Sequence, residues 1–74
     1  MDFNKSFTPE EGIEVGNFIL VCLKECDTLT TEQLWGLVHA AFPKVDHVSV
    51  VYHITRELVN VGKIVHKERY ELRR

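Results

Sequence analysis

The sequence has no apolar run long enough to cross a membrane. The stretch FILVCL has six residues, whereas a spanning helix needs about 20. The N-terminus carries acids and lacks the basic-then-apolar pattern of a signal peptide. There is also no nucleophile elbow, phosphate-binding glycine loop or catalytic acid pair. We therefore expect a cytoplasmic protein that is not an enzyme, with no membrane partner, no cofactor and no evident small-molecule substrate.

Cysteine is scarce, and its two positions favour packing over cross-linking. Cys22 and Cys26 lie one helical turn apart, so their side chains face the same way, and the cytosol keeps thiols reduced. With His39 they invite a zinc interpretation, but their spacing matches no usual zinc pattern and both lie on an apolar stripe. We predict two core thiols and no metal.

Positive and negative charges nearly balance over the whole chain, but they are segregated along it. The 74 residues carry a net charge of −2 and allow one small domain. Residues 1–46 hold eight acids against three lysines, whereas residues 47–74 hold six cations against three acids. This distribution predicts one basic end, which suits a surface that faces phosphates.

Caps and hydrophobic spacing predict two helices in the acidic part. The first begins after an N-cap at Thr8, with Pro9 and Glu11 completing the start signal, and ends near Asp27. Its apolar face comprises Val15, Phe18, Ile19, Cys22, Leu23 and Cys26. The second begins after Thr30, with Gln33 closing a capping box, and stops before Pro43. Its inner stripe comprises Leu34, Leu37, Val38 and Ala41.

A tight turn with Val45 as its apolar plug precedes a third helix, which Asp46 caps and Gly62 ends. At about 100° per residue, its core face comprises Val48, Val51, Tyr52, Thr55, Leu58, Val59 and Gly62. The stretches KIVH and RYELR then have strand character and are joined by a turn near Lys67 and Glu68.

The order of these elements predicts an α+β fold, a three-helix winged helix-turn-helix with a C-terminal two-stranded β-hairpin as the wing. Residues 8–74 form the single domain, and residues 1–7 form a flexible arm. The side chains that we expect to be buried are Leu34, Leu37, Val38, Val51, Tyr52, Leu58 and Ile64.

The third helix and its exit resemble the DNA-binding half of ferric-uptake-regulator-like repressors, whose recognition helix reads TVYRxLxxLxxxGxV. The tyrosine, a leucine and the glycine match at Tyr52, Leu58 and Gly62, whereas the threonine, the arginine and the first leucine do not. The metal-binding dimerisation domain of those repressors has no counterpart here. The resemblance implies a fold that many small regulators share, and a DNA-binding role for this helix.

We therefore expect a small DNA-binding transcriptional regulator of winged-helix type, of a size common in bacterial and phage genomes, that acts as a dimer. The recognition helix, about residues 47–61, enters the major groove of double-stranded DNA through Ser49, Val50, His53, Arg56 and Asn60. The wing, residues 63–74, contacts phosphates through Lys63, Lys67, Arg69 and Arg73.

An apolar stripe on the third helix supports a different interpretation. Val50, Ile54 and Val61 lie beside the polar arc and away from the expected core face, where a solvated helix needs no apolar side chains. They would form an interface for a partner protein or a second subunit, in an adaptor that does not bind DNA. Alternatively, Phe3 and Phe7 of the N-terminal arm cover them.

Overall fold

The computed structural model describes residues 9–73, which form three helices and a small antiparallel sheet. The elements are α1 Pro9–Cys26, β1 Thr28–Leu29, α2 Thr31–Ala41, α3 Val48–Asn60, β2 Ile64–His66 and β3 Tyr70–Leu72. This α+β layout is consistent with a winged helix and confirms the predicted fold class. The expected Thr8 cap and the arm of residues 1–7 lie outside the described residues.

The sheet has one strand more than the predicted hairpin. β2 and β3 pair antiparallel, with Val65 opposite Glu71, and the turn between them falls at the expected residues. The additional strand, β1, pairs with the other side of β3, so the order is β1-β3-β2. Asp27 makes this possible, because its φ of 64° turns the chain sharply out of α1, a conformation that aspartate tolerates better than most residues.

The helix-turn-helix unit is built from strong local signals. Thr30 Oγ1 accepts from the backbone N–H of Gln33 at 3.2 Å, and Gln33 Oε1 accepts from the backbone N–H of Thr30 at 2.9 Å, which confirms the predicted capping box. After α2, the backbone N–H of Val45 donates to the Phe42 carbonyl at 2.9 Å. Val45 is buried as predicted, and the His39 ring donates from Nδ1 to its carbonyl at 2.9 Å.

The N-cap of α3 is His47, so the prediction of Asp46 was wrong by one residue. His47 Nδ1 accepts from the backbone N–H of Ser49 at 3.1 Å. The imidazole thus accepts a hydrogen bond from a free backbone N–H of the first turn, as an aspartate side chain does at many helix N-termini. The helix therefore begins at Val48.

The core lies between the three helices and the inner face of the sheet. Its fully buried side chains include Val15, Ile19, Leu23, Leu34, Val38, Val51 and Ile64. Gly16 of α1 is buried and faces α3, where a Cβ would meet Ile54 Cγ2 at 3.6 Å. An alanine side chain at this position would thus make an ordinary van der Waals contact with α3.

The buried face of α3 is rotated by about 70° from the predicted one. Val50 and Ile54 are core residues, only 2% and 8% exposed, whereas Tyr52 is 53% exposed. The apolar arc of α3 is wider than any one packing face, and α1 covers its Val50 and Ile54 side. The expectation that Tyr52 is buried was therefore wrong. The expectation that Val50 and Ile54 lie on the surface was also wrong.

Other expected core positions lie at the ends of the helices or at their edges. Leu37 is 39% exposed, and Cys26 and Ala41, each the last residue of its helix, are also exposed. Only Cys22 is a core thiol, and burial raises its pKa, with smaller contributions from Cys26 and Glu25.

Candidate nucleic-acid interface

The outer face of α3 carries a compact group of polar side chains. Ser49, His53, Arg56 and Asn60 fall within an arc of about 60°, opposite the buried Val51. Ser49 is half-buried and the other three are exposed. No hydrogen bond or ion pair of the Arg56 or Asn60 side chain occurs among residues 9–73. The face therefore presents a guanidinium and a carboxamide one helical turn apart, each able to make two parallel hydrogen bonds.

An open groove of about 650 Å³ separates this face from the hairpin. Its walls include Tyr52, Arg56 and Val59 from α3, and His66 and Tyr70 from the two strands. Tyr52 and Val59 are the exposed apolar side chains of α3 that the sequence reasoning assigned to the core. They place an aromatic ring and an aliphatic group directly beside the polar arc.

A buried contact fixes the hairpin wall of this groove against α3. The Thr55 hydroxyl donates to the Val51 carbonyl at 2.9 Å and lies 3.4 Å from the hydroxyl of Tyr70. Both side chains are buried. Across the hairpin, the rings of His66 and Tyr70 stack at 4.0 Å with an angle of 13°. The distance between α3 and the strands is therefore set by packed side chains.

The cations of the wing fall into two kinds. Lys63, Lys67 and Arg73 are exposed, and their side chains make no hydrogen bond or ion pair within the described part of the chain. Arg69 instead donates from Nε to Thr28 Oγ1 at 2.9 Å and from a terminal nitrogen to Gln33 Oε1 at 3.2 Å. Arg69 thus braces the wing on β1 and on Gln33 of the α2 capping box.

The structure removes Val50 from both surfaces that the sequence suggested. At 2% exposure its side chain cannot reach a thymine methyl group or a partner protein. Of the stripe proposed as a protein interface, only Val61 is on the surface, at 64% exposure. Val50 and Ile54 instead belong to the core, in which α1 packs against α3. The alternative in which Phe3 and Phe7 cover the stripe lies outside the described residues.

Comparison with protein-family models, with curated proteins and with solved structures finds no match to this chain. Among the described residues, no helix is both long and apolar enough to span a membrane. The same residues hold no group of three or more histidine, cysteine or acidic side chains arranged to bind a metal ion. What the structure itself shows is a small α+β domain whose layout is consistent with a winged helix.

Proposed function

We propose that this protein binds double-stranded DNA as a small winged-helix transcriptional regulator, with α3 as its recognition helix. The observation that carries the proposal is the exposed polar arc of α3, which directly follows a helix-turn-helix turn. An α-helix fits the major groove, and the second helix of such a unit is the one that usually enters it.

Within this proposal Arg56 and Asn60 read bases. Arginine pairs bidentately with the O6 and N7 atoms of guanine, and asparagine with the N6 and N7 atoms of adenine. Val59, which is 36% exposed and lies on the groove wall, takes the apolar contact with a thymine methyl that Val50 cannot make. Ser49 and His53 contact the sugar–phosphate backbone or base edges at the start of the helix.

The wing supplies contacts that do not depend on sequence. Lys63, Lys67 and Arg73 bind phosphates, and Arg69 holds the hairpin in place. Three phosphate contacts predict that log K falls against log salt with a slope of about −2.7 per protomer. One module of this size buries little surface, so specific binding requires two copies on two half-sites.

Titration of the labelled protein with random-sequence duplex DNA at low salt, followed by amide chemical shifts, tests the proposal. The largest shifts are expected from Ser49 to Asn60 and around Lys67. On a selected site, Arg56→Ala and Asn60→Ala should each cost about 1–3 kcal/mol and relax base preference. Asn17→Ala, at an exposed asparagine of α1, is the matched control and should change nothing.

Charge variants separate phosphate contacts from base contacts. Lys67→Ala should weaken binding equally on all sequences and reduce the salt slope by about 0.9. Glu57→Gln should strengthen binding, because Glu57 is an exposed carboxylate next to Arg56. Shifts confined to α1, or an Arg56→Ala variant with unchanged affinity and base preference, would contradict the proposal.

A further inference from the structure

A second groove lies on a different part of the surface, between α1 and the end of the hairpin. Leu20, Val21 and Lys24 of α1 form one wall, and Leu72 and Arg73 form another, with Gly62 and Lys63 between them. Its volume is about 360 Å³, and it shares no lining residue with the groove beside α3. We call it the α1 groove.

The interior of the α1 groove is aliphatic. Leu20 and Leu72 are half-buried and Val21 is 52% exposed. Val61, next to Gly62 in the chain, is 64% exposed but does not line the groove. One exposed and two half-buried aliphatic side chains therefore give the groove a small apolar surface that a partner could cover.

The rim of the α1 groove is cationic in a chain whose net charge is negative. Lys24, Lys63 and Arg73 line it, and no carboxylate does. All three are exposed, and their side chains have no hydrogen-bond or ion-pair partner within the described residues. Free carbonyl groups at the C-terminal end of α3 would repel an anion. Here the Leu58 and Val59 carbonyls accept hydrogen bonds from the N–H groups of Lys63 and Gly62, respectively, which weakens that repulsion.

These charges distinguish between possible occupants. A twofold contact with a second copy would bring the same three cations together, because both subunits of such an interface present the same surface, and like charges would repel. A membrane surface would match the cations, but it is broad, whereas these side chains border a single shallow depression of about 360 Å³ between α1 and the hairpin. An acidic polypeptide with aliphatic side chains complements both the interior and the rim.

We propose that the α1 groove is a docking site for an acidic amphipathic segment of a partner protein. Aliphatic side chains of the segment lie against Leu20, Val21 and Leu72, and its carboxylates pair with Lys24, Lys63 and Arg73. An amphipathic helix that lays its apolar face in a groove is a common mode of peptide recognition. The site does not depend on DNA binding, although Lys63 and Arg73 belong to both proposals.

The test uses a fluorescein-labelled helical peptide whose leucines, at positions i, i+4 and i+7, are flanked by glutamates. Fluorescence anisotropy measures its affinity, and amide shifts locate it at residues 20–24, 62–63 and 72–73. Val21→Asp should weaken binding at least tenfold. Ile13→Asp is the matched control, because Ile13 is an exposed aliphatic residue of the same helix, at 66%, that does not line the groove, and it should leave affinity unchanged.

A charge exchange tests complementarity. Lys24→Glu should weaken the acidic peptide several-fold, and a peptide with one glutamate changed to lysine should recover most of that loss. Val21 and Lys24 are not among the proposed DNA contacts, so both variants should retain DNA binding. Circular dichroism of each variant confirms that it is folded.

Four results would overturn the proposal. Equal affinity for a peptide with lysine in place of every glutamate would remove the role of charge. Sedimentation as a dimer that Val21→Asp dissociates would make the occupant a second copy. Binding to phosphatidylglycerol vesicles that the peptide displaces would make it a lipid surface. Tenfold tighter peptide binding after deletion of residues 1–7 would make it the N-terminal arm.

Discussion

Replacing Ile54 with alanine should remove a large part of the stability of this domain. Ile54 is 8% exposed, and its Cγ2 atom lies where α1 and α3 approach each other at Gly16. Truncating a buried isoleucine to alanine costs about 2–5 kcal/mol, because it removes buried methyl groups and leaves a cavity. A chain of this size is expected to have a total of about 4–11 kcal/mol.

The matched control is Val61→Ala, which shortens an aliphatic side chain at the C-cap of the same helix. That side chain is 64% exposed. Its effect should stay within about 0.5 kcal/mol. Urea denaturation followed by far-UV circular dichroism measures both free energies of unfolding. The thermal midpoint of Ile54→Ala should fall by at least about 8 °C. Equal stability of the two variants would refute the assignment of Ile54 to the core and restore it to the surface.

Four further predictions concern local features of the fold. Gly16→Ala should raise the free energy of unfolding by up to about 1 kcal/mol, because alanine favours the helix and its Cβ meets only an ordinary contact at 3.6 Å. Gly62→Ala should lower the free energy of unfolding by about 1–2 kcal/mol, because φ at this residue is +80°. Urea titration of the two variants should therefore show changes of opposite sign. Thr30→Ala should cost about 1 kcal/mol in a thermal melt, since it removes the side-chain acceptor of the capping box, and an unchanged midpoint would contradict that role. Burial raises the pKa of Cys22 in the folded state. The contribution of the neutral thiol to stability is therefore complete below the ordinary thiol pKa of 9.0 and is lost as pH rises through the folded-state pKa. Urea curves at increasing alkaline pH should show a loss of stability that the Cys22→Ala variant lacks.

Features set by short-range signals were predictable from the sequence. The capping box of α2, the stop at Pro43 and the plug at Val45 each depend on residues a few positions apart, and all three are present. The hairpin turn was equally local. Because such signals act within one turn of the chain, tertiary packing did not need to be known.

The orientation of α3 could not be predicted in this way. Apolar side chains flank Val51 on both sides, with Ile54 on one and Tyr52 on the other, and periodicity alone does not choose between them. The choice is made by α1, which packs against the Ile54 side of α3. The pattern of α3 alone contains no information on which of its two apolar sides a neighbouring helix covers.

The candidate site shows the same division. The polar arc of α3, including Arg56 and Asn60, was identified because it consists of polar residues at helical spacing. Apart from the half-buried Ser49, it is exposed as expected. Arg69 was grouped with the other wing cations, since its partners Thr28 and Gln33 are distant in sequence. The two-residue strand β1 has no periodicity of its own and exists only because β3 lies beside it.

The central position of β3 has a consequence for the order of folding. Thr28 of β1 contacts Arg69, which lies 41 positions later in the chain, and pairs with β3, the strand that follows Arg69. Closing a loop of that length costs about 3 kcal/mol of chain entropy, whereas the α2–turn–α3 unit closes over a few residues. The helical unit should therefore form before the transition state, and the sheet should be completed after it. Substitutions in β1 should then accelerate unfolding while leaving the folding rate nearly unchanged.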